Sequence, residues 1–183
     1  IEVSMITNGF YLSNEFIKEN QNKLSMIGLS IDSLNYDTNI RMGRCEREKT
    51  LTKAEIINKC LLIKNIGIKL KINICITSNN KDEDFDDFFK KVNPDRIKIL
   101  RVLCNHNETL KSISISDDEW QIVQETFKKY TKIFEDNDYM KSNYIIIDSK
   151  GNMTKNNLHV ENNSIFHKSV SNCLEHLNSV KEV

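Results

Sequence analysis

Residues 68–76 alternate without a break. Ile68, Leu70, Ile72, Ile74 and Ile76 fall on one side, and Lys69, Lys71, Asn73 and Cys75 on the other. A period of two demands an extended strand with one aliphatic and one polar face. Residues 95–103 repeat the pattern, with Ile97 and Ile99 opposite Arg96 and Lys98. In residues 25–32 the second face is Met26, Gly28, Ser30 and Asp32, small or polar. Strands of an open doubly wound sheet carry helices on both faces and read as continuous apolar runs. These strands do not, so the pattern predicts a partial barrel whose aliphatic faces meet helices and whose polar faces line a lumen.

The elements between the strands fit that reading. Residues 2–7 predict a first strand, ended by Thr7-Asn8-Gly9, and Ser13 caps a short helix to about Asn20. A polar loop from Asp32 to about Lys49 follows the second strand. Thr52 then caps a helix with Ile56, Ile57, Cys60, Leu61 and Ile63 on one side, ended by Gly67. Asp82 to Val92 predicts an acidic helix stopped by Asn93-Pro94. Ser116-Asp117-Asp118-Glu119 opens a helix whose apolar side runs Trp120, Val123, Phe127, Tyr130, Phe134. A hairpin over 143–148 and 152–160 turns at Ser149-Lys150-Gly151-Asn152, and a last helix covers about Ser169 to Val180. The expected fold is α/β: about four parallel βα units with right-handed crossovers, then a β-hairpin and a C-terminal helix. The barrel portion is expected to span 1–110, with 111–183 as a C-terminal extension of the same domain.

Two neighbouring strands that aim Lys71, Arg96 and Lys98 into one lumen need a compensating anion, because a buried unpaired cation is costly. Arg forks and Lys point charges fit a polyphosphate. The alternative is a polar face open to solvent, where the same residues are ordinary surface charges. No GxxxxGK[ST] or GxGxxG turn is present to supply a phosphate site.

The whole chain of 183 residues carries 26 Lys+Arg and 26 Asp+Glu, a formal net charge of zero, with 39% hydrophobic residues. That composition excludes wholesale disorder and a strongly basic nucleic-acid binder. No apolar run reaches the ~18 residues of a membrane span, and no basic-then-apolar stretch at the start reads as a signal peptide, so none is expected. Cys45, Cys60, Cys75, Cys104 and Cys173 are scattered with no CxxC-type clamp, so no metal ligands are expected. They are expected to be thiols in a reducing cytoplasm. Asp82-Glu83-Asp84 with Asp86-Asp87 is expected to form a solvated helix face. His106 is expected to be an exposed loop residue just past a strand end. No nucleophile–base pair stands out, so no catalytic residue is assigned.

Several blocks recur in order: Val3-Ser4-Met5-Ile6-Thr7-Asn8-Gly9, Gly28-Leu29-Ser30-Ile31-Asp32-Ser33, Met42-Gly43-Arg44, Lys71-Ile72-Asn73, Asn93-Pro94-Asp95-Arg96-Ile97-Lys98 and Tyr144-Ile145-Ile146-Ile147-Asp148. Together they resemble the viperin-like radical SAM enzymes over roughly residues 1–180. The resemblance implies a partial (β/α)6 barrel, of which this chain holds the third to sixth strands. It implies S-adenosylmethionine (SAM) as cofactor and a nucleoside triphosphate as substrate, with CTP favoured. In that family a 5′-deoxyadenosyl radical takes a ribose hydrogen, and loss of water gives a 3′-deoxy-3′,4′-didehydro nucleotide used in antiviral defence.

By position, the resemblance makes Ser30, Arg44 and Asn8 SAM contacts, with Arg44 pairing the methionine carboxylate. It makes Lys71, Asn73, Arg96 and Lys98 the nucleotide-binding set. The family's CxxxCxxC loop, which holds a [4Fe–4S] cluster, and its Gly-Gly-Glu strand are absent and are expected upstream of Ile1. Cys45 stands where the family has Gly, and Thr7 replaces Ser. The chain is therefore expected to be a fragment of a lyase-type enzyme, inactive alone and able to self-associate through exposed strand edges. Another radical SAM enzyme with a different substrate, or a non-catalytic nucleotide-binding α/β domain, remains the alternative.

Overall fold

The computed structural model describes residues 2–102, 108–136, 145–155 and 163–179. His106, Cys104, Tyr144 and the distal end of the expected hairpin lie outside them. The chain divides into two compact units, Ile1–Glu135 and Asp136–Val183.

In the first unit, β1 (Ser4–Thr7), β2 (Met26–Ser30), β3 (Lys69–Ile76), β4 (Arg96–Arg101) and β5 (Phe134–Glu135) form one sheet in the order β1-β2-β3-β4-β5. Every pairing is parallel. An order that never reverses means each right-handed crossover steps the same way, which puts the helices on one face. Doubly wound sheets reverse direction and cover both faces. The winding is thus that of a barrel segment, as the alternating strands predict.

Helices α1 (Asn14–Glu19), α2 (Tyr36–Arg41), α3 (Lys53–Asn65), α4 (Asp86–Val92), α5 (Glu108–Ser112) and α6 (Asp117–Phe127) complete this unit. Their starts follow local chemistry. Ser13 accepts from Phe16 N, and both Thr52–Glu55 and Ser116–Glu119 close capping boxes. Gly67 at φ +84° ends α3, where a side chain would be strained. The core gathers Ile27, Leu29, Leu70, Ile72, Ile74 and Ile99 from the strands. Against them pack Ile17 and Ile63 and the rings of Phe85, Phe88, Phe89 and Phe127.

Several expectations are corrected. The sheet has five strands rather than four, because Phe134 belongs to β5 and not to the preceding helix. Phe134 sits at helical spacing from Trp120 and Phe127, so the periodicity carried through α6 into the strand. Its ring does meet Trp120, at 6.1 Å between centroids. The loop 32–49 contains α2, capped by the Asn35 side chain accepting from Thr38 N at 3.0 Å. Its Tyr-Asp-Thr-Asn-Ile-Arg sequence has no apolar stripe to announce a helix. The helix expected from Asp82 begins at Asp86, and Asp82-Glu83-Asp84 is not a solvated helix face. Glu83 instead accepts from Ser33 Oγ at 2.5 Å and Leu34 N at 2.6 Å. Beyond residue 110, Trp120, Val123 and Phe127 are buried in the first unit's core, as an extension of the same domain would place them.

The second unit has the antiparallel pair β6 (Ile145–Ile147) and β7 (Met153–Lys155), then α7 (Val170–Ser179). Met153, Cys173 and Leu177 form its small core. Gly151 at φ +76° leaves room for Phe166, whose ring lies 2.6 Å from where a Cβ would stand. Among the described residues, no helix is long and apolar enough to cross a membrane.

Candidate functional site

The face of the sheet away from the core carries the polar residues in rows. Gly28 pairs with Lys71, and Lys71 with Arg96. One row on, Ser30 pairs with Asn73, and Asn73 with Lys98. The four residues assigned to nucleotide binding are therefore neighbours on β3 and β4. Lys71 is 7% exposed and Asn73 9%, so this face is not an open surface at its centre. Gly28 keeps the space beside Lys71: an added Cβ would come 3.2 Å from Ile6 Cγ1 and 3.7 Å from Lys71 Cβ. Asn73 Oδ1 is buried with no hydrogen-bond partner among the described residues. An orphaned acceptor of this kind costs about 1–3 kcal/mol, and a donor from a ligand removes that cost.

Electrostatics tie the cations together. Burial lowers the Lys71 pKa below its ordinary value, and the charges of Lys98 and Arg96 lower it further. Glu135 acts the other way. Its Oε1 lies 2.5 Å from Lys98 Nζ, with the two side chains 8% and 12% exposed. The sequence had hidden this carboxylate at the end of an apparent helix. The polar face thus contains its own counter-anion, and the expected need for an external one is reduced by one charge.

The residues assigned to SAM also converge. Asn8, Ser30 and Arg44 line one cavity of about 160 Å³, together with Phe10, Asp32 and Cys45. It sits at the carboxyl ends of β1 and β2, where parallel α/β folds place their ligands. The Arg44 side chain is about half exposed, and its Nε contacts Asp32 Oδ2, a partner unforeseen from the sequence. Asp32 Oδ1 accepts from Cys75 N at 2.8 Å. Burial pushes the Asp32 carboxyl up, while the Arg44 charge and the Cys75 N–H hold it down. The loop that presents Arg44 is pinned by Arg44 N donating to Asn39 O at 2.8 Å and Asn39 Nδ2 donating to Ser33 O at 2.9 Å.

Cys45, Cys60, Cys75 and Cys173 are free. Among the described residues, no group of three or more His, Cys, Asp or Glu side chains could hold a metal ion. These residues do not fit a [4Fe–4S] cluster.

No family model matches the chain. It is, however, 32% identical over 163 residues to the S-adenosylmethionine-dependent nucleotide dehydratase of Psychrobacter lutiphocae, covering 85% of this chain and 53% of that protein. The protein of the same name from Lacinutrix mariniflava is 33% identical over 157 residues, covering 83% of this chain and 33% of the relative. The chain spans about half the length or less of these curated relatives. Among solved structures, Streptococcus suis SuiB bound to S-adenosylmethionine matches with a TM-score of 0.51 at 15% identity, over 74% of this chain and 31% of that one. Native anSMEcpe with bound AdoMet matches with a TM-score of 0.50 at 18% identity, over 74% and 40%. At that identity the likeness speaks for the fold, a radical SAM barrel segment. With relatives above 30% identity over more than four-fifths of its length, the chain belongs to the family of S-adenosylmethionine-dependent nucleotide dehydratases, the viperin-like radical SAM enzymes.

Proposed function

We propose that this chain supplies the nucleotide-binding face and part of the SAM pocket of a radical SAM nucleotide dehydratase. The carrying observation is the in-register patch of Lys71, Asn73, Arg96 and Lys98 beside the cavity of Asn8, Ser30 and Arg44. The substrate in this reading is a nucleoside triphosphate, its phosphates against the three cations and one polar atom donating to or accepting from Asn73. The family resemblance favours CTP, a 3′-deoxy-3′,4′-didehydro product and a role in antiviral defence. The free thiols of Cys45, Cys60, Cys75 and Cys173 among the described residues fit a cytoplasmic setting.

Bound SAM would supply the hydrogen-abstracting radical once it received an electron from a [4Fe–4S] cluster, which the described residues do not hold. The chain's own residues orient the partners. Arg44 offers a planar fork to the methionine carboxylate, and Ser30 and Asn8 offer hydrogen bonds at the strand ends. Lys71 and Asn73 are buried and Lys98 half-buried, so phosphates there would meet charge in a partly dry setting, where each pair is stronger than in water, whereas Arg96 is exposed and reaches them from the solvent side.

Thermal unfolding with and without CTP tests the substrate side. Ligand that binds only the folded chain raises Tm by mass action. The Lys71→Ala and Arg96→Ala proteins are expected to lose most of that rise. An equal rise in all three proteins removes these residues from the site.

A further inference from the structure

We propose that Asp32 is a positioning residue for the cofactor: it holds the Nε edge of Arg44 so that the two Nη atoms remain as the fork for the carboxylate of SAM. The proposal rests on the reading that Arg44 meets that carboxylate.

Asp32 is itself too buried to be the contact, since its side chain is only 2% exposed. It is also fixed from other directions. Its Oδ1 accepts from Cys75 N, and its carbonyl accepts from Asn80 Nδ2 at 2.6 Å. The same Asn80 amide donates to Cys75 O at 2.9 Å. Asp32 is thereby anchored to the end of β3 and cannot follow a swinging arginine. Arg44, by contrast, is a long side chain on a loop, reached through Gly43 at φ +70°. Left alone it would sample many rotamers, at about 2 kcal/mol of side-chain entropy. A rigid carboxylate on one edge of the guanidinium removes that freedom before any ligand arrives. A guanidinium has five N–H donors, so pairing at Nε leaves donors for a second carboxylate. Among the described residues the Arg44 side chain makes no other ion pair or hydrogen bond.

The experiment measures binding of two ligands to the chain by calorimetry: SAM, and 5′-methylthioadenosine, which keeps the nucleoside and lacks the carboxylate. Asp32→Asn keeps the shape and turns an N–H toward Arg44 Nε. It is expected to weaken SAM about tenfold, the scale of one lost orienting interaction. Its affinity for 5′-methylthioadenosine is expected to stay within about twofold of the native chain. In the Arg44→Ala background, Asp32→Asn should add nothing, because the two residues act as one unit. Equal loss of both ligands would assign Asp32 a general structural role and overturn the proposal. An added loss in the Arg44→Ala background overturns it as well. If Asp32→Asn does not fold, Arg44→Lys serves instead. A lysine cannot pair with Asp32 and fork a carboxylate together, so it should lose SAM as Arg44→Ala does, and native-like binding overturns the proposal. Should Arg44→Ala bind SAM normally, the reading of Arg44 fails first and the role of Asp32 falls with it.

Discussion

Glu135 and Lys98 face each other across adjacent parallel strands, with Glu135 Oε1 2.5 Å from Lys98 Nζ and both side chains nearly dry. β5 has two residues, and one of them is spent on this contact. Breaking a buried pair from one side costs about 3–5 kcal/mol, because the remaining charge stays in place without its partner. Glu135→Gln should therefore lower Tm in the absence of ligand. The same change leaves the polar face one charge more positive, so CTP should then raise Tm by more than it does in the native chain. Scanning fluorimetry at low salt reads both. A smaller CTP response would show that Glu135 assists the ligand instead of competing with it.

Lys71 carries the opposite conflict. Its folded-state pKa lies below the ordinary 10.5, from burial first and then from Lys98 and Arg96. A depressed folded pKa means that the group's contribution to stability is full above pH 10.5 and is lost as pH falls through the folded value. At pH near 7 the charged amine thus weighs against folding. Lys71→Met, which keeps the buried stem, should unfold at a higher temperature than the native chain near neutrality. The gap should narrow toward pH 10.5. A lower Tm at neutral pH would contradict this, and the same variant should lose CTP affinity.

The Glu83 carboxylate fastens the loop after β2 through Ser33 Oγ and Leu34 N. Charge-assisted bonds of this kind contribute about 1.5–3 kcal/mol each, reduced where solvent reaches them. Glu83→Ala should lower the midpoint of urea unfolding and weaken SAM binding, since Asp32, Ser33 and Asn39 border the same cavity. Unchanged SAM affinity would mean the loop holds its shape without this tether.

Burial pushes the Cys60 thiol up to about 12, and burial with the Asp32 charge pushes Cys75 up to about 11. At pH 8 the thiolate fraction of Cys75 is then about one part in a thousand, and that of Cys60 smaller still. Iodoacetamide at pH 8 should leave both unmodified in the folded chain, by peptide mass spectrometry, and should modify both in urea. Rapid labelling of Cys75 in the folded chain would sink this account.

The aliphatic side of the fold was legible because its signal is periodic. Ile68 to Ile76 and Ile97 to Ile99 state the strand and its face in a few residues each. The cation set was legible for the same reason, since Lys71 and Arg96 occupy the complementary phase. Glu135 was not, because a two-residue strand has no period, and Phe134 continued the helical spacing of Trp120 and Phe127. The Asp32–Arg44 pair was hidden differently. It joins a strand end to a loop twelve residues on, and the arginine is brought back by bonds from Arg44 N to Asn39 O and from Asn39 Nδ2 to Ser33 O, which no sequence pattern announces. The cavity residues Asn8, Ser30 and Arg44 came from family resemblance, since no spacing rule links them.

Phe134 turns its ring to Trp120 while Glu135, its neighbour, turns to Lys98. Slipping this short strand by a single position would trade an aromatic ring for a carboxylate on both sides at once. Correct docking of β5 and correct charge balance on the polar face are thus one event, so a misfolded edge would also strip Lys98 of its counter-charge.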